Sequence, residues 1–235
     1  MKRPLFFLLF TILLTPAYGS DYLSFSDEQL QTKCNEKDGK ACLALGEKFQ
    51  EGSGVKKSPE DANRYFQKAC ELEEGLGCFE LGFNYSVGNG IEKSSDNAIK
   101  HFLKACDLGN GKGCEMLGSC YEYGDGVEKS DLKANEFYQK ACDLRVGNGC
   151  TSVGTSYYVG RGVAQSYKTA NGFFQKGCEL GDGRGCLLLG FSYEYGNDVK
   201  QSFSIARDYF QKACQRRYQN GCKEYVRLLR QGKNQ

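Results

Sequence analysis

Apolar positions along this chain recur with a period of 36 residues, and each period carries two stripes of helical spacing. In the first stripe a cysteine (Cys42, Cys78, Cys114, Cys150, Cys186) is followed at the third position by Leu45, Leu81, Leu117, Val153 or Leu189. At the seventh position stands Phe49, Tyr85, Tyr121, Tyr157 or Tyr193. A spacing of i, i+3, i+7 is one face of an α-helix. Gly52, Gly88, Gly124, Gly160 and Gly196 then end it, because glycine takes the positive φ of a helix C-cap without strain. A short loop with one apolar residue (Val55, Ile91, Val127, Val163, Val199) follows. Next, Ser58, Ser94, Ser130, Ser166 and Ser202 offer a hydroxyl to the orphan amides of a second helix, and Pro59 suits its first position. The second stripe runs from Ala62, Ala98, Ala134, Ala170 or Ala206 to an aromatic ring four residues on, then to a cysteine four further.

Two helices per period, five times over, predict an all-α fold: an α-solenoid of stacked antiparallel helix pairs. Residues 38–217 form the five repeats. Residues 20–37 give an N-terminal capping helix, with a capping box from Ser26 and Gln29 and a hydrophobic staple from Phe25 and Leu30. Residues 218–235 give a C-terminal capping helix, in which Cys222, Tyr225 and Leu229 repeat the first stripe. Gly46, Gly82, Gly118, Gly154 and Gly190 lie inside the first helices, at about 1 kcal/mol each against alanine. Close approach to the alanine of a neighbouring helix is the expected reason.

The chain has 13 cysteines, an odd number, and a single histidine. Twelve cysteines fall into pairs eight residues apart: Cys34 with Cys42, Cys70 with Cys78, Cys106 with Cys114, Cys142 with Cys150, Cys178 with Cys186 and Cys214 with Cys222. Each pair straddles a short glycine-bearing turn between helices, a geometry within disulfide reach. The rival reading, metal clusters shared by neighbouring pairs, suffers from the lack of recurring histidine and from the compartment inferred below. No metal and no cofactor is expected.

Lys2 and Arg3 precede the apolar run Leu5 to Leu14, and Ala17-Tyr18-Gly19 places small residues at its first and third positions before a cleavage point, so residues 1–19 read as a signal peptide. The run is too short for a membrane span, which needs about 20 residues, and no membrane anchor is expected. Cleavage removes two of the 31 basic residues, leaving 29 against 29 acidic ones. A neutral balance gives no footing for nucleic acid. The expected location is secreted or periplasmic, where disulfides persist.

The third repeat reads Leu117-Gly118, Tyr121, Gly124-Asp125-Gly126-Val127, Ala134 and Phe137-Tyr138-Gln139-Lys140-Ala141-Cys142. This resembles the Sel-one-like repeats, a branch of the tetratricopeptide-type α-solenoids. With paired cysteines in an exported chain, it resembles the Helicobacter cysteine-rich protein family over nearly the whole mature length. Departures are Asp198 in place of the second loop glycine of the last repeat and Gly177 in place of the alanine before Cys178. The resemblance implies binding of penicillin-like compounds, slow β-lactamase activity, or interaction with a host. No catalytic residue is fixed by the repeat motif.

The motifs of serine β-lactamases have literal echoes in Ser53-Gly54-Val55-Lys56, Ser95-Asp96-Asn97 and Lys168-Thr169-Ala170. They fall in a loop and at helix starts of different repeats, where loop and cap chemistry explains them. His101 occupies a slot held elsewhere by Tyr65, Phe137, Phe173 and Tyr209, and reads as a half-buried aromatic substitute. Cys120, the unpaired thiol, is the one weak candidate for a nucleophile, against the plainer reading of a small residue without special chemistry.

A surface is the better candidate. Positions two, five and nine after the first-helix cysteine lie opposite the core stripe, yet they include Phe83, Val87, Met116, Tyr123, Val159, Leu188, Phe191 and Tyr195. These residues either form an aromatic groove or pack between repeats. The leading functional expectation is an exported scaffold whose first-helix surface binds a protein, a peptide or a peptidoglycan fragment. The alternative is a slow hydrolase of β-lactams, by resemblance alone.

Overall fold

The computed structural model describes residues 22–232. The expected signal peptide, residues 1–19, lies outside the described residues. A 3-10 turn (Tyr22–Ser24) leads into α1 (Asp27–Asn35), capped by the expected Ser26 and Gln29 box. Five helix pairs follow: α2 (Gly39–Glu51) with α3 (Pro59–Glu71), α4 (Gly75–Val87) with α5 (Ser95–Asp107), α6 (Gly111–Tyr123) with α7 (Asp131–Asp143), α8 (Gly147–Val159) with α9 (Tyr167–Glu179), and α10 (Gly183–Tyr195) with α11 (Phe203–Gln215). The last helix is α12 (Gln219–Arg230). Among the described residues there is no strand, and each helix packs on the next, as a solenoid requires.

Local signals in the chain act as expected. Ser58, Ser94, Ser130, Ser166 and Ser202 each accept a backbone N–H at the start of a second helix. Gly52, Gly88, Gly124, Gly160 and Gly196 close the first helices in the left-handed conformation. Six disulfides join the predicted pairs, with Cα atoms 4.4 to 4.7 Å apart. Their turns turn back through one positive-φ residue, a glycine at Gly109 and Gly181 but Lys37, Glu73, Arg145 and Arg217 in the other four.

The expected approach to alanine is seen at Gly82, Gly154 and Gly190, where an added Cβ would stand 3.1 to 3.3 Å from the carbonyl oxygen of Ala98, Ala170 or Ala206. A Cβ on Gly46, Gly118 or Gly190 would stand 2.5 to 2.6 Å from the ring of Phe66, Tyr138 or Phe210. The second-helix aromatic comes closer to the glycine than the alanine does. Phe66, Phe174 and Phe210 are thereby fully buried. Alanine contacts also occur elsewhere, where Ala69, Ala105 and Ala141 face Gly77, Gly113 and Gly149 across the disulfide-bonded turn. At the fourth such turn Gly177 replaces alanine because the Thr151 hydroxyl takes the space.

Each pair also holds one parallel ring stack: Phe49 on Tyr65, Tyr85 on His101, Tyr121 on Phe137, Tyr157 on Phe173 and Tyr193 on Tyr209, with centroids 5.4 to 5.9 Å apart. His101 is thus an aromatic substitute in the stack. Burial, Lys100 and Lys104 push its pKa down, which keeps the ring neutral.

A latch between repeats completes the stack. Buried Asn63, Asn135 and Asn171 donate from Nδ2 to the loop carbonyls of Asn89, Arg161 and Asn197 in the following repeat, at 2.7 to 2.8 Å. Asn84 donates to Asn63 Oδ1 at 2.7 Å and accepts from Asn89, so the first latch is a closed amide network. In the next repeat the two corresponding residues are Ile99 and Cys120. The amide pair of the first latch is absent there, and the thirteenth cysteine occupies the slot of Asn84.

Candidate functional site

First helices touch one another across repeats, α8 with α10 and α10 with α12, so they line the inner side of the stack's curvature. The eight residues expected to form a surface lie on these helices and divide into two groups. Val87, Tyr123, Val159 and Tyr195, all at position nine, are 54, 74, 51 and 64% exposed, and Phe83 is 44% exposed. Met116, Leu188 and Phe191 are half-buried and pack on the core. Phe191 meets Phe210 edge-on at 5.1 Å and stacks on Tyr195 at 6.0 Å, which supports the exposed ring from beneath. Exposure and packing are therefore both realised, by different residues.

Between these apolar residues opens a polar pocket of about 200 Å³. α6 supplies Glu115, Ser119, Glu122 and the rim residue Tyr123; α8 supplies Asn148, Ser152 and Thr155; α10 supplies Arg184. Their spacing follows from the register: Glu115 is one residue after its cysteine, while Asn148 and Arg184 are two before theirs, where a side chain reaches back to the preceding first helix. Asn148 Nδ2 donates to Glu115 Oε1 at 2.6 Å, and Arg184 Nη2 donates to Thr155 Oγ1 at 3.2 Å. Glu122 accepts from the Tyr138 hydroxyl at 2.7 Å and pairs with Arg161. Burial, reinforced by that carboxylate, pushes the Tyr138 pKa well up, so the phenol keeps its proton. Glu122 and Arg161 cancel each other in charge.

Acid and base are unevenly spread along this inner face. Toward α2 and α4, burial and mutual repulsion raise the pKa of Glu47, and burial raises that of Glu80 against the pull of Gln50 and Lys112. Toward α12, Arg227 is saturated, bonded to Glu194 and Glu224 at 2.6 Å. Among the described residues no group of three or more His, Cys, Asp or Glu is placed to hold a metal ion. No helix among them is long and apolar enough to cross a membrane.

Reactive-residue candidates are scattered. Ser53 lies in the loop after α2, Ser95 to Asn97 in the first turn of α5, and Lys168 in α9. Burial lifts the Cys120 thiol to about 11, which leaves it protonated and a poor nucleophile. His101 Nδ1 is 3.8 Å from Cys70 Sγ, but that sulfur is already in a disulfide.

The Sel1 repeat profile matches residues 39–73, 75–110, 111–146, 148–182 and 183–218, most of the chain. The chain belongs to the Sel1 repeat family. Its cysteine pairs make it a cysteine-rich member, as the resemblance implied. The Sel1 repeat protein from Oxalobacter formigenes is similar in structure, with 26% identity, a TM-score of 0.78, and coverage of 84% of this chain and 79% of that one. So is c5321, a protective antigen present in uropathogenic Escherichia coli strains, at 24% identity and TM-score 0.73, covering 88% of this chain and 52% of that one. Helicobacter pylori cysteine rich protein B is 40% identical over 59% of this chain and 99% of its own, with a TM-score of 0.47. No curated protein sequence matches. Six closed disulfides mark a Sel1 protein of an oxidising, non-cytoplasmic compartment.

Proposed function

We propose that this chain is an exported, disulfide-stapled scaffold that binds a peptide or a peptidoglycan-like fragment along its first helices. The carrying observation is the row of exposed apolar residues at position nine, Val87, Tyr123, Val159 and Tyr195, recurring at the 36-residue period on one face. Solvent alone favours polar residues there, and exposed aromatic side chains are the commonest anchors of recognition. The row flanks the polar pocket, so apolar grip and polar anchoring share one surface. No observation favours the β-lactamase alternative, because the three motif echoes lie on separate repeats and Ser53 with Lys56 sits in a loop, not on a buried helix.

The test replaces Tyr123 and Tyr195 by serine and measures binding of synthetic peptides and purified muropeptides beside thermal melting. Both rings are mostly exposed, so melting should stay within about 0.5 kcal/mol of the parent. Affinity should fall at least tenfold, as at an anchor residue. Unchanged affinity, or lost stability in place of lost binding, rejects the reading.

A further inference from the structure

The charges in the central pocket do not balance locally. Glu122 is matched by Arg161, and Tyr138 completes its bonding. Glu115 is held by the neutral Asn148 amide alone, and Arg184 by the neutral Thr155 hydroxyl alone. Among the described residues no cation lies within ion-pair distance of Glu115 and no carboxylate within that of Arg184. Both side chains are half-buried and both line the same cavity. Arg227, on the same face, shows the contrast: its guanidinium is filled by two carboxylates of its own chain.

An acid without a cation on α6 and a guanidinium without an anion on α10, separated by the neutral floor of α8, form one oriented pair of charges. We propose that the pocket takes a small zwitterion of peptide type, its ammonium at Glu115 and its carboxylate at Arg184. Arg184 presents a planar fork suited to a carboxylate, while Ser119 and Ser152 supply neutral hydrogen bonds between the two ends. Each charge has only a neutral hydrogen-bond partner in the chain, so a ligand carrying both opposite charges gains an ion pair at each end. About 200 Å³ is smaller than the roughly 300 Å³ at which pockets for drug-sized ligands begin, so the occupant is about one or two residues long. This deepens the scaffold reading and rests on it: Tyr123, at the rim, would carry the ligand's onward path along the position-nine row.

The test titrates the oxidised full chain with L-alanyl-L-alanine, its N-acetyl form, its C-terminal amide and the doubly capped form, following amide shifts by NMR. The free dipeptide should shift resonances of the pocket, each single cap should weaken it about tenfold, and the doubly capped form should leave them unmoved. Arg184→Gln should abolish the difference between the free and amidated peptides, and Glu115→Gln the difference between the free and acetylated ones, both with unchanged melting. Equal binding of free and capped forms, or no shift in the pocket, overturns the proposal. A doubly capped longer peptide separates the two readings. If it binds and loses affinity on Tyr123→Ser, the scaffold stands even where the dipeptide result rejects the charge-matched pocket. If only the free dipeptide binds, and does so equally in the serine variant, the pocket stands and the extended surface falls.

Discussion

The outer and inner sides of the stack obey the 36-residue period to different degrees. Where first and second helices meet, every repeat has a serine cap, an aromatic ring on a glycine, a parallel ring stack and a disulfide. On the inner face, position five reads Glu47, Phe83, Ser119, Thr155, Phe191, and position two reads Ala44, Glu80, Met116, Ser152, Leu188. Packing that recurs holds one repeat to the next, and any repeat that abandoned it would break the stack. Positions two and five carry no contact common to all repeats, and their variation along the chain is what gives the surface an acidic end, a polar centre and aromatic flanks.

Changes on the periodic side should therefore act on stability, in proportion to burial. Phe174→Ala removes a ring with 1% exposure standing on Gly154 and should cost about 3 to 5 kcal/mol, read from urea unfolding of the oxidised chain. A loss under 1 kcal/mol would mean that the repeats do not share the ring-on-glycine core. Asn63→Ala should cost about 1 to 3 kcal/mol, because it leaves the buried Asn84 amide and the Asn89 carbonyl without their partner. Ile99→Asn should restore only the loop half of the latch, a bond to the Asp125 carbonyl like those made by Asn135 and Asn171, since Cys120 offers no amide to its Oδ1. A gain from Ile99→Asn as large as the loss in Asn63→Ala would refute this difference between the two halves of the latch.

The smallest expected effect concerns pH. The folded-state pKa of His101 is depressed, so protonation is disfavoured in the stack and stability is present above the ordinary histidine value of about 6.5. As pH falls below that value the unfolded chain takes up the proton first, and the native state loses ground. His101→Phe should match the parent near pH 8 and exceed it in melting temperature near pH 5. Parallel pH profiles would show that the stack tolerates the charged ring.

Much of the scaffold was legible because its signals are local. A serine before a helix, a glycine after one and two cysteines eight residues apart each act within a turn or two of backbone, so Ser130, Gly124 and the Cys142–Cys150 bridge read correctly from order alone. The role of Gly118 did not, because sequence shows that something comes close but not which residue of the partner helix it is. Asn63, Asn135 and Asn171 recur at the period and so carried a signal, but a latch to a loop 26 residues ahead is a tertiary contact. Five of the eight surface residues are exposed as the helical wheel implied, whereas Met116, Leu188 and Phe191 turn into the core because neighbouring helices cover them.

The sequence by itself determined the period, the helices, their caps and the six disulfides, since each is set by residues close along the chain. Only the tertiary structure decided the pocket. Glu115, Asn148 and Arg184 belong to three successive repeats and meet because the superhelix brings their first helices side by side. Whether a charge finds its opposite depends on distances across repeats, and it is there that Glu115 and Arg184 line one pocket with only the neutral Asn148 and Thr155 as partners.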